Sequence, residues 1–246
     1  MRALARIVAE ADGRGGTRLA RLRGEPPLQL RHTPDGSAAA TVHLIGSAAG
    51  PLGGDDLRIE IEVGEGAVLC VRSVAASIAL PGRDGSPSRT TVTATVAAGG
   101  ELRWLPEQLV AAAGCRHLAS STVELAAGAR LLWREELICG RHAEQPGDAT
   151  VSTSVDYDGA ALLRQSLTVG PGTPGWDGPA VLGGARATGS LLTVDAAAPP
   201  APPAVLGATA VRMPLTGAAT LVSATAPDAH VLRGYLSTGE RSPYGG

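Results

Sequence analysis

The chain contains no lysine, no asparagine and no phenylalanine. The first absence excludes a Schiff-base lysine and a phosphate-cradling P-loop lysine, and the second excludes an N-glycosylation sequon. All 21 basic side chains are therefore arginines, which hold their proton at neutral pH and serve as neither acid nor base. The missing residues share AT-rich codons, which points to a GC-rich genome. Three cysteines, Cys70, Cys115 and Cys139, are too few and too odd in number for a secreted disulfide framework. No apolar run approaches the ~20 residues of a bilayer span, and the start, MRALARIVAEADG, lacks the apolar stretch of a signal peptide. A net charge of -2 and a pI near 6.2 leave no footprint for nucleic acid or an anionic membrane. The expectation is a cytoplasmic protein with neither kind of partner.

What is present is alternation. Leu57, Ile59, Ile61 and Val63 point one way while Arg58, Glu60 and Glu62 point the other, the pattern of a half-buried strand. Thr91–Val96 and Val151–Val155 alternate too, as do short segments around 4–9, 17–23, 39–45, 67–72, 130–138, 160–169, 189–195, 204–211, 218–225 and 229–236. The arginines near the start (Arg2, Arg6, Arg14, Arg18, Arg21, Arg23) read as the solvent side of two strands. With 33 glycines and 18 prolines between such segments, the chain is all-β with one or two short helices. The alanine-rich Glu107–His117 is the one stretch read as helix.

Three segments share a strand–glycine turn–strand pattern: Val63–Leu69, Val96–Leu102 and Leu125–Leu131. Their turn glycines, read as Gly66, Gly100 and Gly128, recur roughly thirty residues apart, the period of stacked coils. A β-helix-like superhelical stack of short strands is favoured over a sandwich. Residues 1–246 read as one domain, with the Pro/Ala-rich 196–204 as a connector inside it. Pro81–Ser88 and Gly170–Pro179 are loops. The second matches G-x-G-x-x-G, but prolines occupy it and no helix follows, so it cannot hold a pyrophosphate.

No nucleophile elbow and no Ser, His and Asp arrangement nominates a catalyst. Asp55-Asp56 and Glu135-Glu136 are paired acids, but neighbours in a strand face opposite sides, so Glu135 and Glu136 do not share one site. Cys115-x-His117 and Cys139-x-x-His142 offer thiolates and imidazoles suited to zinc or nickel; the bland reading is buried thiols and surface histidines.

Residues 50–142 hold, in order, Gly53-Gly54-Asp55-Asp56, the Val63–Leu69 turn, Trp104-Leu105-Pro106-Glu107-Gln108, Trp133-Arg134-Glu135-Glu136-Leu137 and Gly140-Arg141. This series resembles the urease accessory protein UreD (UreH) family, as a divergent branch. Arg72–Leu80 departs from the family's threonine-rich segment, Arg103 stands where a glutamate is usual, and Cys139 replaces the leucine of L-G-R. The chain stops at Gly246, without the Trp- and Arg-containing tail of longer members, while VLRGYLSTGERS fits the family's ending loosely.

The resemblance implies a non-enzymatic nickel-insertion chaperone that binds apo-urease, the scaffold UreF and, through it, the GTPase UreG. It also implies a β-helix-like fold with a pair of helices, and Ni²⁺ in transit through a water-filled passage rather than a tightly bound cofactor. Asp55 and Glu136 match family positions and are the candidates for lining that route; the alternative metal cluster is Cys115, His117, Cys139 and His142. Rival readings are a secreted-type β-solenoid carbohydrate-active enzyme, which would show acid clusters and exposed aromatics, and a static nickel or zinc store, which needs a denser ligand set. Aromatics at 2%, five histidines and three cysteines favour neither.

Overall fold

The computed structural model describes residues 1–240. Along it run β1 (Arg2–Ala11), β2 (Thr17–Arg23), β3 (Leu28–His32), β4 (Ala40–Gly46), β5 (Asp56–Val63), β6 (Val68–Ser73), β7 (Ser77–Ala79), β8 (Ser88–Val96) and β9 (Glu101–Leu105). There follow β10 (Leu109–Ala111), β11 (Arg116–Leu125), β12 (Arg130–Cys139), β13 (Asp148–Tyr157), β14 (Ala160–Val169), β15 (Ala187–Val194), β16 (Ala204–Gly207), β17 (Ala210–Pro214), β18 (Ala219–Ala226) and the helix α1 (Ala229–Glu240).

The strands form two facing sheets. One has the order β14-β13-β11-β8-β5-β1-β2 and the other β16-β17-β18-β15-β12-β9-β6-β4-β3. Successive coils β5–β6, β8–β9 and β11–β12 each cross from the first sheet to the second, and their strands pair in parallel in both. This is a β-solenoid-like stack, as the repeated turns indicated. The turns stack as well, through Ala97 N–H to Val63 O, Ala126 N–H to Val96 O and Asp158 N–H to Leu125 O. The left-handed glycines of the three turns are Gly66, Gly99 and Gly128, at φ +65°, +67° and +77°. The middle one is thus Gly99 and not Gly100.

Alternation produces the core. On β5 the inward Leu57, Ile59, Ile61 and Val63 are buried while Arg58 and Glu62 are exposed. On β1 the arginines Arg2 and Arg6 share the outer face, where Arg6 pairs with Glu62. Two apolar clusters lie between the sheets. The larger gathers Ile7, Ile61, Leu69, Val123, Leu131 and Trp133; the smaller, at the other end of the strands, gathers Cys115, Leu137, Cys139, Ala149 and Val169. A third cluster lies on the outer face of the second sheet, where Leu232 and Leu236 of α1 pack against Leu191, Val222 and Ala224.

Two sequence expectations are corrected. Glu107–His117 is not a helix: it holds β10, a turn with Gly114 at φ +72°, and the start of β11. β10 aligns in parallel with β7 and β12, and this pairing overrides alanine's helix propensity. The segment 229–236 is not a strand but most of α1. Asp228 caps it, its carboxylate accepting from Val231 N–H at 2.9 Å, and the apolar Val231, Leu232, Tyr235 and Leu236 recur at helical spacing. Among the described residues α1 is the one α-helix, where the resemblance implied a pair. The connector 196–204 leads from β15 to β16. No described helix is long and apolar enough to cross a membrane.

Candidate functional site

The inward face of the stack changes character along its length. Just before β11, Cys115 belongs to the smaller apolar cluster, and on β11 Val123 and Leu125 belong to the larger one. Between them stand His117, Ala119 and Ser121, which line a cavity of about 480 Å³. Its neighbours repeat the pattern: Thr90 precedes Val92 on β8, and Thr153 lies between Ala149 and Val155 on β13. On β12, Glu135 projects into the cavity between Trp133 and Leu137. A layer of polar side chains therefore sits between two apolar clusters, in a cavity whose remaining lining is largely apolar.

Glu135 accepts hydrogen bonds from the Ser121 hydroxyl at 3.1 Å and from the Thr153 hydroxyl. Burial pushes its pKa up, and these donors act the other way by bonding the ionised form. His117, 2% exposed, shares a 2.9 Å hydrogen bond between Nδ1 and the Ser88 hydroxyl. Burial pushes its pKa down to about 4, so the ring is neutral at pH 7.

The second sheet is interrupted beside Glu135. β12 pairs with β9 as far as Trp133–Trp104 and with β10 from Leu137–Leu109 onward. Between these ladders, residues 106–108 and 74–76 leave the strands. Ser73 steadies the break by accepting from Glu107 N–H at 2.9 Å, and Arg134 donates from Nη2 to the carbonyls of Leu105 and Pro106. The cavity lining includes the inward Glu135 and also Glu107 and the outward-facing Glu136, so it reaches this break.

Glu136 lies on the α1 side of the sheet. Its Oε1 takes Arg134 Nε at 3.0 Å and Arg233 Nε at 2.6 Å, while Glu107 takes Arg233 Nη2 at 3.1 Å. Burial pushes the Glu136 pKa up, and the two guanidiniums pull it back. Gly189 of β15 keeps this packing tight: a Cβ there would sit 2.5 Å from Glu135 O and 3.2 Å from Leu236 Cδ1.

Asp55 also lines the cavity. It caps its own turn, accepting from Leu52 N–H at 2.9 Å, and meets the Met1 ammonium at 2.7 Å. Asp55 and Glu136 thus border one cavity at different places. The alternative cluster is distributed differently. Cys115 and Cys139 share the smaller apolar cluster, His117 points into the polar layer, and His142 is exposed beyond β12. Among the described residues no three His, Cys, Asp or Glu side chains gather in a way that would hold a metal ion.

Sequence reasoning named Glu135 only as one of a pair of acids and gave it no role, and it passed over Arg233. The signal for Glu135 was the alternation Trp133, Glu135, Leu137, a carboxylate in an apolar register. The signal for Arg233 was the cap at Asp228, which turns 229–236 from strand to helix.

The family profile described as UreD urease accessory protein matches residues 1–239. A protein named urease accessory protein UreD from Streptomyces avermitilis is 51% identical over 96% of this chain and 95% of its own length. Its namesake in Streptomyces coelicolor is 48% identical over 96% and 94%, and that of Frankia alni 46% identical over 96% and 91%. With the profile spanning nearly the whole chain and relatives this similar along their full length, the chain belongs to the UreD family of urease accessory proteins.

Proposed function

We propose that this chain is a cytoplasmic nickel-insertion chaperone that catalyses no reaction, binds apo-urease together with UreF and UreG, and passes Ni²⁺ towards the urease active site. The observation that carries this reading is the set of carboxylates and hydroxyls, Asp55, Ser121, Glu135 and Thr153, that line the cavity inside the stack, together with Glu107 and Glu136 where it reaches the break in the second sheet. A carboxylate placed between apolar clusters is costly unless it is bonded or hydrated, and a cavity of about 480 Å³ has room for water beside Glu135. The route would run from the break, past Glu136 and Glu135, through the layer lined by Asp55. Scattered oxygen donors hold Ni²⁺ weakly, whereas a thiolate and imidazole cluster would retain it. Val74, 58% exposed, and Ile78, 36% exposed, flank the break and offer apolar area for a partner to cover.

The test is urease activation in vitro with apo-urease, UreF, UreG, GTP and Ni²⁺. Glu135→Gln keeps the shape and one hydroxyl acceptor, turns the other hydroxyl into an acceptor from the amide, and removes the charge. It should leave the complex with urease intact and lower the activity recovered. Full activation by Glu135→Gln, Glu136→Gln and Asp55→Asn would place the route elsewhere.

A further inference from the structure

Arg233 offers one guanidinium to two carboxylates from distant parts of the chain. Glu136 Oε1 lies 2.6 Å from its Nε, and Glu107 lies 3.1 Å and 3.4 Å from its two terminal nitrogens. The Glu136 side chain is 1% exposed, yet its second oxygen, Oε2, is buried without a hydrogen-bond partner. Such an atom is costly where it stands. Glu136 and Glu107 both line the cavity. Two carboxylates, one with an unused buried oxygen, make an incomplete oxygen site for a divalent cation, and two guanidiniums stand on it: Arg233, and Arg134 with its Nε 3.0 Å from the same Glu136 Oε1.

Arg233 rides on a movable part. Arginine keeps its charge at any pH the fold survives, so proton loss does not clear the site. A competing cation or a shift of α1 removes Arg233, while Arg134, on the same strand as Glu136, stays in place. Beyond the Arg233 pairs, Leu232 and Leu236 hold α1 against the sheet by apolar packing, and such contacts are non-directional.

We propose that Arg233 is a resident counter-cation closing the break in the second sheet, and that a divalent metal cation entering between Glu107 and Glu136 displaces it and loosens α1. This rests on the conduit reading above and adds its gate. While Arg233 occupies the carboxylates, the apparent affinity for a metal ion falls by the fraction of time the site is free. Arg233 here is a positioning residue that touches the cation's ligands and not the cation.

The experiment uses the full chain with Ni²⁺ as the probe, by calorimetry and by hydrogen exchange of the α1 amides. Wild type should bind Ni²⁺ weakly, with α1 exchanging faster as the ion binds. Arg233→Gln should bind Ni²⁺ about tenfold tighter because the displaceable one of its two competitors is gone and only Arg134 remains, with α1 exchange no longer responding to the ion. Arg233→Lys, which keeps a charge without the two-pronged geometry, should fall between, and Glu107→Gln should weaken Ni²⁺ binding in the Arg233→Gln background. Unchanged affinity in Arg233→Gln, or wild-type α1 exchange indifferent to bound Ni²⁺, overturns the gate. Should Arg233→Gln fail to fold, Arg233→Lys and the wild-type exchange decide it. Activation by Glu135→Gln reads the conduit separately: if it falls while Arg233→Gln gains no affinity, the conduit stands and the gate fails.

Discussion

Ser88 Oγ lies 2.9 Å from His117 Nδ1 across the register of two adjacent parallel strands, inside the stack. The ring's folded pKa of about 4 lies below its ordinary 6.5, so its contribution is present above pH 6.5 and lost as pH falls through about 4. Wild type should lose about 2 kcal/mol through this group between pH 7 and pH 5. His117→Asn should flatten that part of the profile in denaturant titrations at the two pH values. Equal losses in both proteins would show that His117 is charged or exposed in the folded state. Glu135, with its pKa raised, acts in the opposite sense, favouring the fold at low pH and losing that contribution as pH rises.

Trp104 and Trp133 stack across β9 and β12 with ring centroids 5.1 Å apart. Trp133 is 1% exposed in the larger cluster. Trp133→Ala should cost about 3–5 kcal/mol in unfolding free energy, and Trp133→Phe clearly less. A cost below about 1 kcal/mol would mean the cluster collapses around the loss.

All three cysteines are buried and free. Burial pushes the thiols of Cys115 and Cys139 up to about 11, so thiolate is scarce at pH 8. A thiol reagent should find no fast-reacting cysteine in the native chain and all three after unfolding. A fast native reaction at Cys115 or Cys139 would reopen the metal cluster built on them.

The corrected turn register gives a paired test. Gly99→Ala forces a side chain into the left-handed region, at a cost of about 1 kcal/mol. Gly100→Ala instead places a Cβ 2.9 Å from Gly64 O and 3.0 Å from Ala97 O, an overpacking of about 1–3 kcal/mol. Thermal unfolding should therefore rank Gly100→Ala as the more damaging. The reverse order would return the conformational role to Gly100.

Strand alternation at Leu57–Val63 and the repeated glycine turns made the coil stack legible, because both are local consequences of period two and positive φ. The helix was not, since Val231, Leu232, Tyr235 and Leu236 satisfy a strand reading unless the Asp228 cap is weighed. The Glu107–His117 error has the opposite cause: β10 exists because β7 and β12 flank it, a non-local fact. Asp55 and Glu136 were nominated by resemblance alone, and both border the cavity. That Glu135 and Glu136 do not share one face followed from strand geometry. That neither faces open water depends on α1 and the opposite sheet, which no local pattern reveals.

The Arg233 contact also has a place in time. Its carboxylates precede it by 97 and 126 residues, while each coil turn closes onto the one before it. A ribosome delivering the chain from its first residue can lay down the stack coil upon coil. Among the described residues α1 follows all eighteen strands, so on a growing chain Glu107 and Glu136 wait for Arg233 until the whole described stack has been made.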